Sequence, residues 1–119
     1  MSDTARPDRF LGLLGLSRRA GRAVIGAPLI AEAMHAKKRP ALVLVAADAS
    51  AGSAKKMQTK CNFYEVPLLR VPYTKEALGH AVGKDDPVAA IAVMDAGIAG
   101  ELLKPSGKDA PTAVGNGVE

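Results

Sequence analysis

Two short, unbroken apolar runs constrain this chain most: Ala41-Leu42-Val43-Leu44-Val45-Ala46 and Val88-Ala89-Ala90-Ile91-Ala92-Val93-Met94. An apolar run of this length without polar alternation, carrying β-branched residues, suits a strand covered on both faces rather than one with a wet side. Covering both faces requires helices above and below, and the intervening segments read as helices. Phe10, Leu13, Leu14 and Ser17 fall at i, i+3, i+4 spacing with Leu11 and Leu16 beside them, up to Arg19, and Gly21 supplies a stop. Ala23-Val24-Ile25 reads as an edge strand. Gly26 then opens a second helix to about His35, with Pro28 tolerated in its first turn and Leu29, Ile30, Ala33 and Met34 as its apolar positions. Lys37-Lys38-Arg39-Pro40 ends that helix, placing cations where the helix dipole prefers them.

Downstream, Asp48-Ala49-Ser50 offers caps for a helix from about Ala51 to Lys60, with Lys55, Lys56 and Lys60 on a solvated face and Phe63 and Tyr64 packing its end. Val66 to Val71 reads as a strand with Pro67 at its start, and Tyr73-Thr74 leads into a helix from Lys75 to about Val82, closed by Gly83. The last helix runs from Ile98 to Leu103. The expected fold is an α/β single domain, a three-layer α/β/α sandwich with a small mixed sheet. Residues 1–8 read as a flexible leader with Asp8 a candidate cap, residues 9–103 as the folded domain, and residues 104–119 as a disordered tail without periodicity.

Composition removes many functions. The apolar runs are far shorter than the roughly 20 residues that span a bilayer. The N-terminus Met-Ser-Asp-Thr-Ala-Arg has no signal-like hydrophobic region, so a cytoplasmic location and no membrane partner are expected. Cys61 is the sole cysteine, which excludes an internal disulfide and a zinc framework and marks it as a small core or half-buried residue. With no Trp, two Tyr and two Phe, an aromatic stacking platform is not expected. His35 and His80 lie on predicted helices as exposed or internally satisfied residues. Gly79-His80-Ala81-Val82-Gly83-Lys84 has three residues between its glycines where a phosphate loop has four, lacks Ser/Thr after the Lys, and follows a helix instead of a strand. Asp85-Asp86 reads as a solvated turn, since adjacent side chains diverge. No catalytic residue, metal or cofactor is expected, and the chain reads as a non-enzyme.

Charge is polarised along the chain. Net charge is +4, yet residues 1–60 hold eleven Lys/Arg against four Asp/Glu, and residues 61–119 hold five against eight. One basic half is the electrostatic footprint of a phosphate-backbone binder.

Four segments then carry a resemblance: Leu13-Leu14-Gly15-Leu16-Ser17-Arg18-Arg19-Ala20-Gly21-Arg22 followed by Gly26; Leu42 to Ser50; Lys60-Cys61-Asn62-Phe63-Tyr64-Glu65-Val66-Pro67; and Leu78-Gly79-His80-Ala81-Val82-Gly83-Lys84. Their order and spacing resemble the bacterial YlxQ-type branch of the kink-turn-binding ribosomal protein superfamily, over about residues 9 to 103. The resemblance implies an RNA ligand. Its site would be formed by Arg18, Arg22, Gly26, Ala27, Pro28, Leu29 and Glu32 on one side and by Lys84 through Ala89, including Asp86, Pro87 and Val88, on the other. A helix N-terminus offers free N–H groups to phosphate, and an apolar loop can cover an unstacked base. Pro28, Leu29 and Glu32 stand where the archetypal binders of the superfamily place Asn, Glu and Lys, so weakened kink-turn specificity is expected.

The expectation is therefore a monomeric RNA-binding protein of translation, contacting ribosomal or another structured RNA, with the ribosome as a further partner. The exposed basic trio Lys37, Lys38 and Arg39 is expected to join the site. The competing reading is a protein-interaction module that keeps the fold after losing its RNA site, and salt dependence separates the two.

Overall fold

A computed structural model describes residues 2–103, with side chains from Arg9 onward. The elements are α1 (Ser2–Arg19), β1 (Ala23–Ile25), α2 (Ala27–His35), β2 (Leu42–Val45), α3 (Ala51–Tyr64), β3 (Leu68–Arg70), α4 (Lys75–Ala81), β4 (Ala90–Val93) and α5 (Ala96–Leu103). The sheet runs β1-β4-β2-β3. β2 pairs with β3 in parallel, through the α3 crossover that parallel strands require, while β4 is antiparallel to both β1 and β2.

The two unbroken apolar runs become the central strands β2 and β4, every residue of which is buried. Alternation across the pleat sends Leu42, Leu44, Ile91 and Val93 to one face, where Leu14 of α1, Leu78 of α4 and Ala99 and Leu102 of α5 cover them. Val43, Val45, Ala90 and Ala92 face the other way, against Ile30 and Met34 of α2 and Met57 and Cys61 of α3. The layers are thus α1/α4/α5, the mixed sheet, and α2/α3. Each fully buried Leu or Ile contributes about 1.5–3 kcal/mol.

Element ends depart from the sequence reading in instructive places. α1 reaches back through residues 2–8, read as a flexible leader, and Asp8 lies within the helix instead of capping it. α3 continues four residues past Lys60, because Met57, Cys61 and Tyr64 keep one stripe on the core, and it closes on Glu65 in a left-handed conformation (φ 58°). α5 starts two residues before Ile98, where Asp95 Oδ1 accepts the Ile98 N–H at 3.0 Å. Ser50 caps α3 and Thr74 caps α4, each accepting an N–H three residues on at 3.1 Å. Asp48, a candidate cap for α3, instead accepts the Lys75 N–H at 2.7 Å and so ties the loop after β2 to the start of α4. Residues 104–119 lie outside the described residues.

Candidate nucleic-acid interface

The candidate surface is built where an edge strand, a helix start and a loop converge. After α1 the chain turns at Gly21 (φ 74°), the Arg22 N–H donates back to the Ser17 carbonyl, and the chain enters β1, an edge strand paired only with β4. Gly26 then adopts φ 95° and ψ 142° as the residue before α2, a conformation that disfavours a side chain and leaves the helix without a side-chain cap. The Gly26 N–H donates to the Ala90 carbonyl at 3.1 Å, Pro28 has no N–H, and the Ile30 N–H already meets the Gly26 carbonyl at 3.0 Å. Helix geometry leaves the first-turn amides of Ala27 and Leu29 without an intrahelical acceptor at the positive end of the helix dipole. Ala27, Pro28 and Leu29 are all exposed, Leu29 by 53%.

The loop between α4 and β4 forms the opposite wall. The Lys84 N–H donates to the Gly79 carbonyl at 2.8 Å and the Val88 N–H to the Lys75 carbonyl at 2.9 Å, so the loop is clamped to α4 at both ends. Gly79 is buried, and a Cβ there would collide with the Asp86 carbonyl, which explains a glycine in this helix. Asp86 and Pro87 are exposed and Ala89 is half-buried, with its carbonyl accepting the Ala46 N–H. Val88 departs from the sequence reading. Its side chain turns into the core beside Leu78 and Val82 and is not free to cover a base.

Between these walls lies an open hollow of about 510 Å³ lined by Arg18, Ala23, Val24, Ile25, Leu29, Glu32, Ala33 and Lys84. Four expected site residues, Arg18, Leu29, Glu32 and Lys84, thus meet around one depression although they come from three separate segments. The β1 residues and Ala33 in its lining were missed, because a short apolar strand reads as structure and nothing local marks it as the floor of a site.

Other expected residues lie elsewhere. Arg22 sits at the far end of β1, where the Met94 N–H donates to its carbonyl at 2.7 Å, roughly 13 Å along the strand from Gly26. There the N–H groups of Ile98 and Gly97, followed by the charges of Arg22 and Lys38, hold the Asp95 carboxyl below its ordinary range. Lys37 is exposed in the connection after α2. Arg39 reaches α3 and places its guanidinium 5.3 Å from the Tyr64 ring centroid. Aromatic rings are few, yet His35, Phe63 and Tyr64 form a contiguous set of rings where α2 and α3 end. Cys61 is buried in the core, and burial pushes its thiol up to about 11.

Comparison with known proteins matches this architecture. The sequence fits the ribosomal protein L7Ae/L30e/S12e/Gadd45 family over residues 8–103. It is 41% identical over 91 residues to the RNA-binding protein YlxQ of Bacillus subtilis, covering 76% of this chain and 88% of that one. It is 33% identical over 92 residues to the RNA-binding protein YlxQ of Enterococcus faecium, covering 76% and 84%. Among solved structures, a protein of unknown function from Bacillus halodurans aligns with a TM-score of 0.70 at 34% identity, covering 77% of this chain and 90% of that one. The Giardia lamblia 15.5kD RNA binding protein shares the fold, with a TM-score of 0.60 at 22% identity over 76% and 78%. The four resembling segments, the layered fold and these relatives agree: the chain is a YlxQ-type member of the ribosomal protein L7Ae/L30e/S12e/Gadd45 family.

Proposed function

We propose that this protein binds RNA through the hollow beside β1, without catalysing a reaction. The observation that carries the reading is the convergence of Arg18 and Lys84 on the start of α2, a helix start without a side-chain cap. That combination suits a phosphate, since cationic side chains and helix N–H groups act on the same anion. The two relatives named as RNA-binding proteins support the same reading. The ligand is a structured RNA, ribosomal or kink-turn-like, and the protein acts as a cytoplasmic monomer in translation. Pro28 and Leu29 offer no side-chain donor or charge, and Glu32 brings a negative charge into the hollow, so the protein reads shape and backbone more than guanine edges.

Arg18→Glu together with Lys84→Glu tests the site. Affinity for a labelled ribosomal RNA fragment falls at least tenfold and the log-log salt slope becomes shallower, because two phosphate contacts are lost. The exposed Leu29 and the acidic Glu32 favour a second reading, an apolar protein interface. Affinity and salt slope that ignore the double reversal would support that reading instead.

A further inference from the structure

The connection carrying Lys37, Lys38 and Arg39 passes the C-terminal end of α3, and there it meets rings. The Tyr64 hydroxyl lies 2.9 Å from His35 Nδ1, and the two rings meet edge to face at 5.5 Å and 84°. Arg39 covers the Tyr64 ring, and its Nη1 donates to the Tyr64 carbonyl at 3.3 Å. Tyr64 is therefore held from α2, from the connection and from its own helix. Against this fixed ring stands Phe63, edge to face at 4.9 Å and 85°, and 77% exposed. It is the most exposed large hydrophobic residue among those described. A ring that could gain free energy by burial is instead held out in water.

Its surroundings are cationic. Lys60 and Lys56 precede Phe63 by three and seven residues, a spacing that puts all three on one helical face. Arg39 spends one of its five N–H donors on the Tyr64 carbonyl and keeps others for an anion. The neighbouring acidic group in sequence is Glu65. An apolar protein partner would also cover Phe63, but lysine is depleted at the centres of protein interfaces and enriched where phosphate is bound.

We infer that Phe63 is a stacking platform for an unpaired base of single-stranded RNA, with Lys56, Lys60 and Arg39 taking the adjoining phosphates, as a second RNA contact apart from the hollow. Stacking on an exposed ring tolerates any base, and a ring oriented in advance by Tyr64 loses less freedom when a base docks. The inference rests on the RNA reading above, but its test is independent of the hollow.

The full chain is titrated with a labelled twelve-nucleotide oligoadenylate at low salt. Phe63→Trp introduces the chain's sole tryptophan, and its fluorescence is quenched as the oligonucleotide saturates. Phe63→Ala weakens binding about fivefold or more at an unchanged melting temperature, and Phe63→Leu does not restore it, because stacking needs a planar ring. The platform is overturned if the indole emission stays constant while the RNA anisotropy rises, or if Phe63→Ala binds like the parent. In either case the Arg18 and Lys84 reversals with structured RNA still decide the hollow by themselves. If the parent binds neither RNA, both readings fail.

Discussion

At Gly79, one missing side chain decides where a wall of the hollow stands. The Asp86 carbonyl occupies the space a Cβ would need, and the ideal Cβ position also lies 3.5 Å from Val88 Cγ2. Gly79→Ala is expected to lower stability by about 1–3 kcal/mol, as overpacking of a filled site does. It also moves the loop carrying Lys84, so urea unfolding and RNA affinity fall together. Three residues of α2 set a different limit. Pro28→Asn, Leu29→Glu and Glu32→Lys together supply a donor, an acceptor and a charge reversal at the start of α2. The triple variant should gain tenfold or more in affinity for a kink-turn RNA, and far less for unstructured RNA, at about 1–3 kcal/mol per base-edge contact. Gel shifts with the two RNAs side by side check this, and equal gains for both would show that only charge had changed.

Among the elements, α2 links the two proposed RNA contacts. Its start opens on the hollow, its last residue His35 meets Tyr64, and Ile30 and Met34 anchor the span between them in the core. The charged connection that follows it does not act as one patch, because Arg39 is engaged with Tyr64 while Lys38 contributes to the field at Asp95. α4 positions the opposite wall, since the loop from Lys84 to Val88 is bonded to its backbone at Gly79 and Lys75. Its start is held by Thr74 Oγ1 on the Ala77 N–H and by Asp48 on the Lys75 N–H. Thr74→Ala should cost about 1 kcal/mol of stability in urea titrations. The Asp48 bond remains in that variant, so hydrogen exchange quickens at Ala77 more than at Lys75.

For the whole molecule, two apolar clusters on either side of one sheet account for the described core, and Leu102 is its last buried residue. Removing residues 105–119 is expected to leave the melting temperature unchanged within error, because the family match ends at residue 103 and the tail sequence has no periodic apolar face to dock. Differential scanning fluorimetry of the shortened chain checks this, and a fall of several degrees would place part of the core in the tail. The family's fold carries two charged regions here, one at each end of α2, separated by buried rows.

The sequence by itself determined the layered α/β architecture, because unbroken apolar runs such as Leu42–Val45 cannot be strands with a wet face, and periodic helices must cover them. It also marked Gly26 as the helix start, and a resemblance whose segments lie far apart in the chain grouped Arg18, Leu29, Glu32 and Lys84, which the structure gathers around one hollow. What it could not carry was which side chain faces which. Val88 reads like its neighbours Pro87 and Ala89, yet its place beside Leu78 sends it inward. Asp48 reads as a local cap, yet its partner is Lys75, 27 residues away. The adjacent Phe63 and Tyr64 gave no sign that His35 would join them, because α2 and α3 come together through their shared packing on β2 and β4. Local pattern sets the elements, whereas proximity between distant residues exists only once the sheet has ordered β1-β4-β2-β3 and the helices have settled on its two faces.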